Sequence, residues 1–348
     1  HPTEYRSRAT TIMVPHNSNT TSREMALVIL AMIPGLFALG WIFGPGVWIH
    51  SAIAVPTAIV AEAAILLARG RNPMGELNDL SAILTALLLA VSLPPLLPWW
   101  MVLLGTGFAI ILAKQLYGGL GQNPFNPAMI GYVILLVSFP KEMTSWLSAS
   151  GMGGETISWG AATQAIFGGA PVALDSLSGA TPLGGLKTTL AEGLTLQESL
   201  EKIPSGLLAG PGWEWVNFAF LFGGTILLLT RTISWHIPVS VLAGLSLMAL
   251  IFNTIDPASY ATPLYHLLSG GIMLGAFFIA TDPVTASTTP MGRIWFGLGI
   301  GVLDYIIRTW GGYPDAVAFS VLLMNMFAPL IDHFTQPTIY GAQKGEKA

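Results

Sequence analysis

The sequence predicts an all-α polytopic membrane protein, and three observations support this. Hydrophobic residues make up 53% of the 348-residue chain, whereas charged residues make up only 9%. Water-soluble domains carry about 25% charged residues. The charges lie between apolar runs of about 17–25 residues, which is the length of a helix that crosses the bilayer core. These runs also lack the alternating pattern of membrane β-strands.

Glycine, proline and charged residues divide the apolar runs into about ten predicted spans. The spans are residues 25–44, 47–68, 80–93, 98–114, 125–139, 212–230, 235–252, 264–280, 293–310 and 316–332. The third and fifth are short, and the nearby Pro94-Pro95 and Asn123-Pro124 are typical of broken or tilted helices. Nine or eleven spans also remain compatible with the pattern.

Lysine and arginine predict the orientation, because short loops rich in these residues stay in the cytoplasm. If the amino terminus is cytoplasmic, the short outer loops contain only Arg308. The cytoplasmic segments then contain Arg6, Arg8, Arg23, Arg69, Arg71, Lys114, Arg231, Arg293, Lys344 and Lys347. We therefore expect both termini in the cytoplasm and the long segment 140–210 outside it.

The chain also predicts two related halves of about five spans each. In the first half Gly118-Gly119 precedes Asn126-Pro127-Ala128, and in the second Gly311-Gly312 precedes Asp315-Ala316-Val317-Ala318. Because five is odd, the halves insert with opposite orientation, as in the inverted repeats of transporters. The predicted segments are a cytoplasmic segment 1–23, a five-helix repeat 24–139, a non-cytoplasmic loop 140–210, a five-helix repeat 211–333 and a cytoplasmic tail 334–348.

Several polar side chains lie where lipid would penalise them. Asp304 and Arg308 are four residues apart and share one face of the ninth span, so they form either a neutralised ion pair or part of an ion pathway. Asp282 and Asn325 are weaker candidates for such a pathway. The glycines of residues 297–301 instead predict close packing between helices.

Residues 118–128 contain too many helix breakers for a plain connector. One interpretation is a cytoplasmic turn in which Asn126 caps a helix and Pro127 takes its first position. The other is an irregular segment at membrane depth, where Asn123 and Asn126 line a cavity or an ion site. The sequence favours neither interpretation over the other.

Composition also excludes several kinds of chemistry. The chain has no cysteine, which excludes a thiolate-held iron–sulfur cluster within it and any disulfide. The six histidines lack the spacing of a helix-face metal site, so we predict no metal, although histidines from different helices could still meet around a haem. The formal charge of −4 indicates no nucleic-acid partner.

The most informative segment is Asp175-Ser176-Leu177-Ser178-Gly179-Ala180-Thr181, which lies between the two halves. Attachment of a flavin nucleotide through its phosphate requires an accessible hydroxyl group with slim neighbours, and Thr181 meets both conditions. The Asp175 carboxylate could assist recognition by a transferase or lie near the metal of that transferase, and the sequence does not choose between these roles. The alternative interpretation is an ordinary turn rich in serine, threonine and glycine.

The pattern Asp-x-x-Ser-Gly-Ala-Thr resembles the acceptor sequence of the flavin transferase ApbE. Its position after five spans, with Pro182-Leu183 following, is similar to that in the RnfD and NqrB family, and the resemblance covers nearly the whole chain. It implies FMN in phosphoester linkage on Thr181, within an acceptor motif that also comprises Asp175, Ser178, Gly179 and Ala180. It leaves open a second, noncovalent flavin, and no catalytic residue is assigned.

The resemblance implies a subunit of the Rnf complex, which couples ferredoxin–NAD electron transfer to Na⁺ or H⁺ movement across a bacterial or archaeal inner membrane. Its expected partners are the membrane, flavoprotein and iron–sulfur subunits, ApbE and the lipid bilayer. The short chain and brief amino-terminal segment favour an RnfD type over an NqrB-type quinone reductase subunit. A flavin-free secondary transporter or channel and a passive membrane scaffold remain alternatives from other classes.

Overall fold

The computed structural model describes residues 18–147, 149, 157–168, 178–179, 181–203, 206, 208–210, 212–313 and 315–336. In the first half the helices are α1 (Ser18–Phe43), α2 (Gly46–Ala68), α3 (Pro73–Leu77), α4 (Ser81–Ser92), α5 (Trp99–Gly107), α6 (Pro127–Ser138) and α7 (Pro140–Thr144). Helix α5 continues directly as a π-helix, π1 (Phe108–Gln115).

The segment between the halves contains β1 (Trp146–Leu147), α8 (Trp159–Gly168), β2 (Ser178–Gly179), α9 (Pro182–Ala191) and α10 (Leu196–Lys202). The second half contains α11 (Trp213–Leu229), α12 (His236–Ile255), α13 (Pro263–Leu268), α14 (Ile272–Leu274), the π-helix π2 (Gly275–Ile279), α15 (Pro290–Trp310) and α16 (Val317–Thr335). Helical structure therefore occurs in all ten predicted spans.

The described helices have the lengths and surfaces of membrane helices. Within the described residues, α1, α2, α12 and α16 are long and apolar enough to cross a membrane, and α4, α6, α11 and α5 with π1 are shorter apolar helices. Large apolar side chains such as Phe37, Leu229 and Ile255 are more than half exposed on them. Such a surface needs lipid as its solvent. The chain is a multi-pass membrane protein.

The predicted span 264–280 is not one continuous helix. Helix α13 ends at Leu268, and the chain passes through residues 269–271 before α14 begins. Gly270 adopts a left-handed conformation with φ of +70°, which favours glycine over residues with a side chain. The hydropathy pattern does not reveal this break, because residues 272–280 continue the apolar run and only the short segment Ser269-Gly270-Gly271 interrupts it.

The helices pack in recurring pairs around a large apolar core, and a smaller apolar cluster lies where α9, α10 and α13 meet. In the first half α2 packs against α4 and α5, and α5 with π1 packs against α6. In the second half α12 packs against α13 and α15, and α15 packs against α16. The halves meet where α1 packs against α11 and where α6 packs against α16.

Helices α12 and α15 approach closely through glycines. A Cβ atom at Gly297 would overlap the carbonyl oxygen of Ile237, and one at Gly301 would overlap the carbonyl oxygen of Val241. Small residues allow two helix backbones to approach in this way. The packing role predicted for residues 297–301 is confirmed.

Candidate functional site

Thr181 lies at the amino-terminal end of α9. Its Oγ1 accepts a hydrogen bond from the Gly184 amide at 3.1 Å, and Pro182 takes the first helical position. This is the ordinary chemistry of a helix cap. The hydroxyl oxygen therefore lies beside the Gly184 amide at the positive end of a ten-residue helix, a position that favours negatively charged groups.

The backbone of the acceptor motif is held by a short antiparallel ladder. Gly179 pairs with Trp146, and Ser178 pairs with Leu147. Asp175 and Ala180 lie outside the described residues, and Ser178 and Gly179 are described through their backbone. The ladder places the described part of the motif beside Trp146.

Thr181 lines a cavity that we call the Thr181 cavity. Its empty volume is about 930 Å³, including its open mouth. Both halves of the chain contribute to its wall, from Leu39 of α1 to Ala318 of α16. Aromatic and polar side chains of the wall include Tyr132, Trp146, Trp213, Asn217, Tyr313 and Asp315.

Two tryptophans form one part of this wall. The ring centroids of Trp146 and Trp213 are 4.9 Å apart at an interplanar angle of 61°. Phe43 packs behind both rings, 5.0 Å from Trp213 and 5.9 Å from Trp146. Edge-to-face packing of this kind holds aromatic rings in fixed positions. The wall can therefore present a stable apolar surface to a planar ligand.

Asn217 of α11 holds the break between α13 and α14 beside the cavity. Its Nδ2 lies 3.2 Å from the Leu268 oxygen and 2.9 Å from the Gly270 oxygen, and its Oδ1 accepts a bond from the Met273 amide at 3.4 Å. These are backbone groups that the interrupted helix leaves without helical partners. Asn217 was not predicted from the sequence, although a lone asparagine within an apolar span is a detectable signal.

Arg308 is the centre of a buried charge cluster next to the cavity. Its Nε lies 2.7 Å from Asp304 Oδ2, and its Nη1 donates to the His266 oxygen at 2.8 Å. Its Nη2 donates to Asp315 Oδ1 at 3.2 Å. Asp304 and Arg308 thus lie together as an ion pair, and Asp315 is a second anionic partner that lines the cavity.

Lys187 connects α9 to the end of α15. Its ammonium group donates to the carbonyl oxygens of Arg308, at 3.1 Å, and of Gly311. Burial lowers the pKa of the half-buried Lys187, whereas the carbonyl oxygens favour its charged form. A cation is favourable here because it lies at the negative end of α15. Nothing in the sequence around Lys187 indicates this contact.

A second cavity lies near the other end of α1, and we call it the Asn126 cavity. Glu24 and Met25 of α1 line it, whereas Leu39 lines the Thr181 cavity, so about 20 Å of helix separates the two. Its empty volume is about 860 Å³. Polar residues of its wall are Glu24, Ser81, Thr85, Lys114, Asn123, Asn126, Thr232, Thr281 and Asp282. Three of the candidate polar residues, Asn123, Asn126 and Asp282, therefore share one cavity.

Asn126 caps α6 and also lines the Asn126 cavity. Its Oδ1 caps α6 by accepting from the Met129 amide at 3.2 Å, and Pro127 begins the helix. Its backbone amide donates to Asn325 Oδ1 at 3.1 Å, and its Nδ2 donates to the Ile279 oxygen at 3.3 Å. The residue is therefore a helix cap, a cavity wall and a link between the two halves.

Asn123 and Asp282 are held by local bonds in the same cavity. Asn123 Nδ2 donates to the Phe125 oxygen at 3.0 Å. Asp282 accepts bonds from the Val284 amide and the Thr285 hydroxyl, both at 3.1 Å. Burial raises the pKa of Asp282, and these two bonds oppose that shift.

Lys114 forms a buried ion pair beside the Asn126 cavity. Its Nζ lies 2.6 Å from Glu62 Oε1 and 2.6 Å from Ser81 Oγ. Gln115 Nε2 donates to the same Glu62 oxygen at 2.6 Å. The Lys114 and Glu62 side chains are each only 2% exposed. The sequence predicted Lys114 in the cytoplasmic segments but not this pair, because nothing in one sequence connects Lys114 to Glu62.

Fold and site together define a polytopic membrane protein with a cavity near each end of its helices and Thr181 on the wall of one of them. Residues 11–341 match the family model of the NQR2, RnfD, RnfE family, and the chain belongs to this family. This confirms the family that the acceptor motif and the span pattern predicted.

Similar proteins have been named in several bacteria. A Yersinia pseudotuberculosis protein, named as the D subunit of the ion-translocating oxidoreductase complex, is 53% identical over 342 residues, which cover 95% of this chain and 97% of that protein. Proteins of the same name from Yersinia pestis and Salmonella paratyphi B are also 53% identical, with the same shares covered.

Proposed function

We propose that this chain is the D-type membrane subunit of a redox-driven ion-translocating complex of the Rnf kind. In this proposal it carries FMN in phosphoester linkage on Thr181, relays electrons between partner subunits and couples their transfer to Na⁺ or H⁺ movement. The 53% identity to proteins named as the D subunit of an ion-translocating oxidoreductase complex supports the complex. The flavin attachment is supported by the acceptor motif and the geometry of Thr181.

The observation that carries the proposal is the position of Thr181 Oγ1 at a helix amino terminus and at the wall of a cavity. Small-molecule pockets are concave, mostly apolar and carry a few convergent polar groups, and the wall of the Thr181 cavity has this composition. The amide groups at the start of α9 suit a phosphate group. The wall around Trp146 and Trp213 suits a planar aromatic ring.

FMN bound here would supply electron transfer in steps of one or two electrons. The residues of this chain would hold and shield it. Thr181 would fix the phosphate by a covalent bond, and the apolar wall around Trp213 would exclude water. Asn217 keeps the break at residues 269–271 in place, so the cavity retains its shape.

The packing pattern also supports the two predicted inverted repeats. Each of the pairs α2–α4, α2–α5 and α5–α6 has a counterpart in α12–α13, α12–α15 and α15–α16. Asn126 precedes α6 and lines one cavity, whereas Asp315 precedes α16 and lines the other. We infer that a two-fold axis in the membrane plane relates the halves, with residues 140–210 on the non-cytoplasmic side.

A second, noncovalent flavin has a candidate place in the Asn126 cavity. Its volume of about 860 Å³ is similar to that of the Thr181 cavity. Asn123, Asn126 and Lys114 offer hydrogen-bond donors to the carbonyl and nitrogen acceptors of a flavin ring. Flavins near both ends of the helices would allow electrons to cross the membrane domain.

The test is coexpression of the chain with the flavin transferase ApbE, followed by flavin fluorescence on a denaturing gel. Wild-type chain should fluoresce, because a phosphoester survives denaturation, and Thr181→Ala should abolish the signal while the protein remains in the membrane. Thr188→Ala is the matched control, because Thr188 lies on α9 and its hydroxyl bonds to the Gly184 oxygen. A dark wild-type chain, or a fluorescent Thr181→Ala chain, would contradict the attachment.

The same samples test the second flavin and the alternative function. Denatured Thr181→Ala protein should release flavin into solution if the Asn126 cavity holds one. A flavin-free transporter or channel would instead give substrate flux in liposomes with the purified chain alone. We expect no such flux without the partner subunits of the complex.

A further inference from the structure

Asp315 is the only carboxylate on the wall of the Thr181 cavity among the residues that the structure describes. It lies two residues before the start of α16, and its side chain is 32% exposed. From the sequence, Asp315 was visible solely as the counterpart of Asn126 in the repeat pattern. Its position within the cavity gives it a separate role.

The carboxylate is fixed in place from two sides. Its Oδ2 accepts a bond from the Gly271 amide at 2.7 Å, and its Oδ1 accepts one from Arg308 Nη2 at 3.2 Å. A Cβ atom at Gly270 would lie only 2.8 Å from Oδ2, so this glycine leaves the room that the carboxylate occupies. The break between α13 and α14 is therefore shaped around Asp315.

Arg308 does not fully neutralise Asp315, because it is shared with Asp304. The fully buried Asp304 lies 2.7 Å from Arg308 Nε. Two carboxylates and one guanidinium leave this trio with one excess negative charge (−1 −1 +1 = −1) when all three are ionised.

Other polar groups also face the trio. Lys187 approaches from α9, and its ammonium group, bound to the carbonyl oxygens at the end of α15, brings the formal sum of the four charges to zero (−1 + 1 = 0). Of these four charged groups only Asp315 lines the Thr181 cavity, so its carboxylate is the charge that a ligand there meets first. His266 faces Arg308 from α13 through its backbone oxygen. Tyr132 and Tyr313 line the same cavity.

We propose that Asp315 lowers the reduction potential of the flavin on Thr181, an inference that rests on the function proposed above. Electrons that enter the cavity add negative charge beside a fixed carboxylate. Two like charges repel more strongly in a partly buried, low-dielectric site than in water. Asp315 therefore favours the oxidised form and makes the reduced form a stronger electron donor.

The test is spectroscopic redox titration of the flavinylated protein at constant pH. Asp315→Asn keeps an oxygen for the Gly271 amide and removes the charge, so we expect at least a tenfold shift toward the reduced form, or about 30 mV for a two-electron couple. Asp315→Glu keeps the charge and should stay close to wild type. Asp256→Asn is the matched control, because Asp256 follows α12 near the same face of the molecule and does not line the cavity.

A second variant covers the case in which Asp315→Asn does not fold. Asp304→Asn removes one charge of the same trio behind Arg308 and leaves the cavity wall intact, so it should shift the titration in the same direction by a smaller factor. The inference is overturned if the reduction potential of the flavin is unchanged in both variants, or if Asp315→Glu shifts it as much as Asp315→Asn does. If the wild-type chain shows no flavin fluorescence on a denaturing gel, the proposed function is contradicted instead. Failure of the proposed function can therefore be distinguished from failure of this inference.

Discussion

Lys114 and Arg308 occupy similar places in the two halves but have different surroundings. Each is a buried cation near the end of the fourth predicted span of its half. Each bonds to the third predicted span, Lys114 through Ser81 Oγ and Arg308 through the His266 oxygen. Lys114 lines the Asn126 cavity, and Arg308 reaches the Thr181 cavity through Asp315.

The difference between them lies in their anionic partners. Lys114 pairs with Glu62, which comes from another helix, so this ion pair connects α2, α4 and π1. Arg308 pairs with Asp304 from its own helix and keeps Asp315 as a second partner. These partners indicate that the Lys114 cluster stabilises the helix assembly, whereas the Arg308 cluster connects a membrane helix to the Thr181 cavity.

The largest expected effect comes from Glu62→Gln, which leaves Lys114 without an anion in a site that is only 2% exposed. Removing one partner of a buried pair costs about 3–5 kcal/mol, and we expect about 3 kcal/mol because Ser81 still bonds to Lys114. Thermal unfolding of the purified chain in detergent measures this loss. Glu62→Gln combined with Lys114→Met should recover most of it, and a single variant as stable as wild type would refute the structural role.

Much of the fold was predictable, because the cost of unpaired backbone groups in lipid forces helices of defined length. Helical structure lies in every predicted span, and the pairing of Asp304 with Arg308 followed from their spacing of four residues. The Lys114–Glu62 pair was not predictable, since its members are 52 residues apart. The break at residues 269–271 also depends on a distant residue, Asn217.

The Thr181 site could be proposed from local sequence, and its flavin chemistry stays a prediction, whereas the shape of the cavity could not be predicted. The acceptor motif singled out Thr181 from local sequence alone. The cavity beside it has walls that run from Leu39 to Ala318, so it exists only in the folded chain. Asp315 was visible as a repeat element, yet its contact with the cavity required the three-dimensional arrangement of α13, α15 and α16.

A smaller effect is expected from Asp304→Asn, the equivalent change in the second half. Arg308 keeps its bond to Asp315 and its bond to the His266 oxygen, so no cation is left uncompensated. Breaking a buried ion pair costs about 3–5 kcal/mol when the remaining charge is left uncompensated, and we expect a loss of only about 1.5 kcal/mol because Arg308 keeps two partners. The same thermal unfolding measurement applies. A loss as large as that of Glu62→Gln would show that the two clusters stabilise the assembly equally.

The smallest effect is expected from Lys187→Met. This variant tests how strongly the contact with the end of α15, near Arg308, holds α9, the helix that begins directly after Thr181. Lys187 joins α9 to the carbonyl oxygens at the end of α15, so its loss should let α9 open locally without unfolding the bundle. Amide hydrogen exchange in residues 184–191 should become about tenfold faster, which corresponds to about 1.4 kcal/mol.

Lys202→Met, at the exposed end of α10, is the control and should leave exchange in α9 unchanged. Equal exchange in wild type and Lys187→Met would mean that the apolar contacts of Leu183 and Leu186 hold α9 without the lysine. In that case the link between the Thr181 cavity and α15 would depend on Asp315 and Arg308 alone, and the contrast with the Lys114 cluster would become sharper.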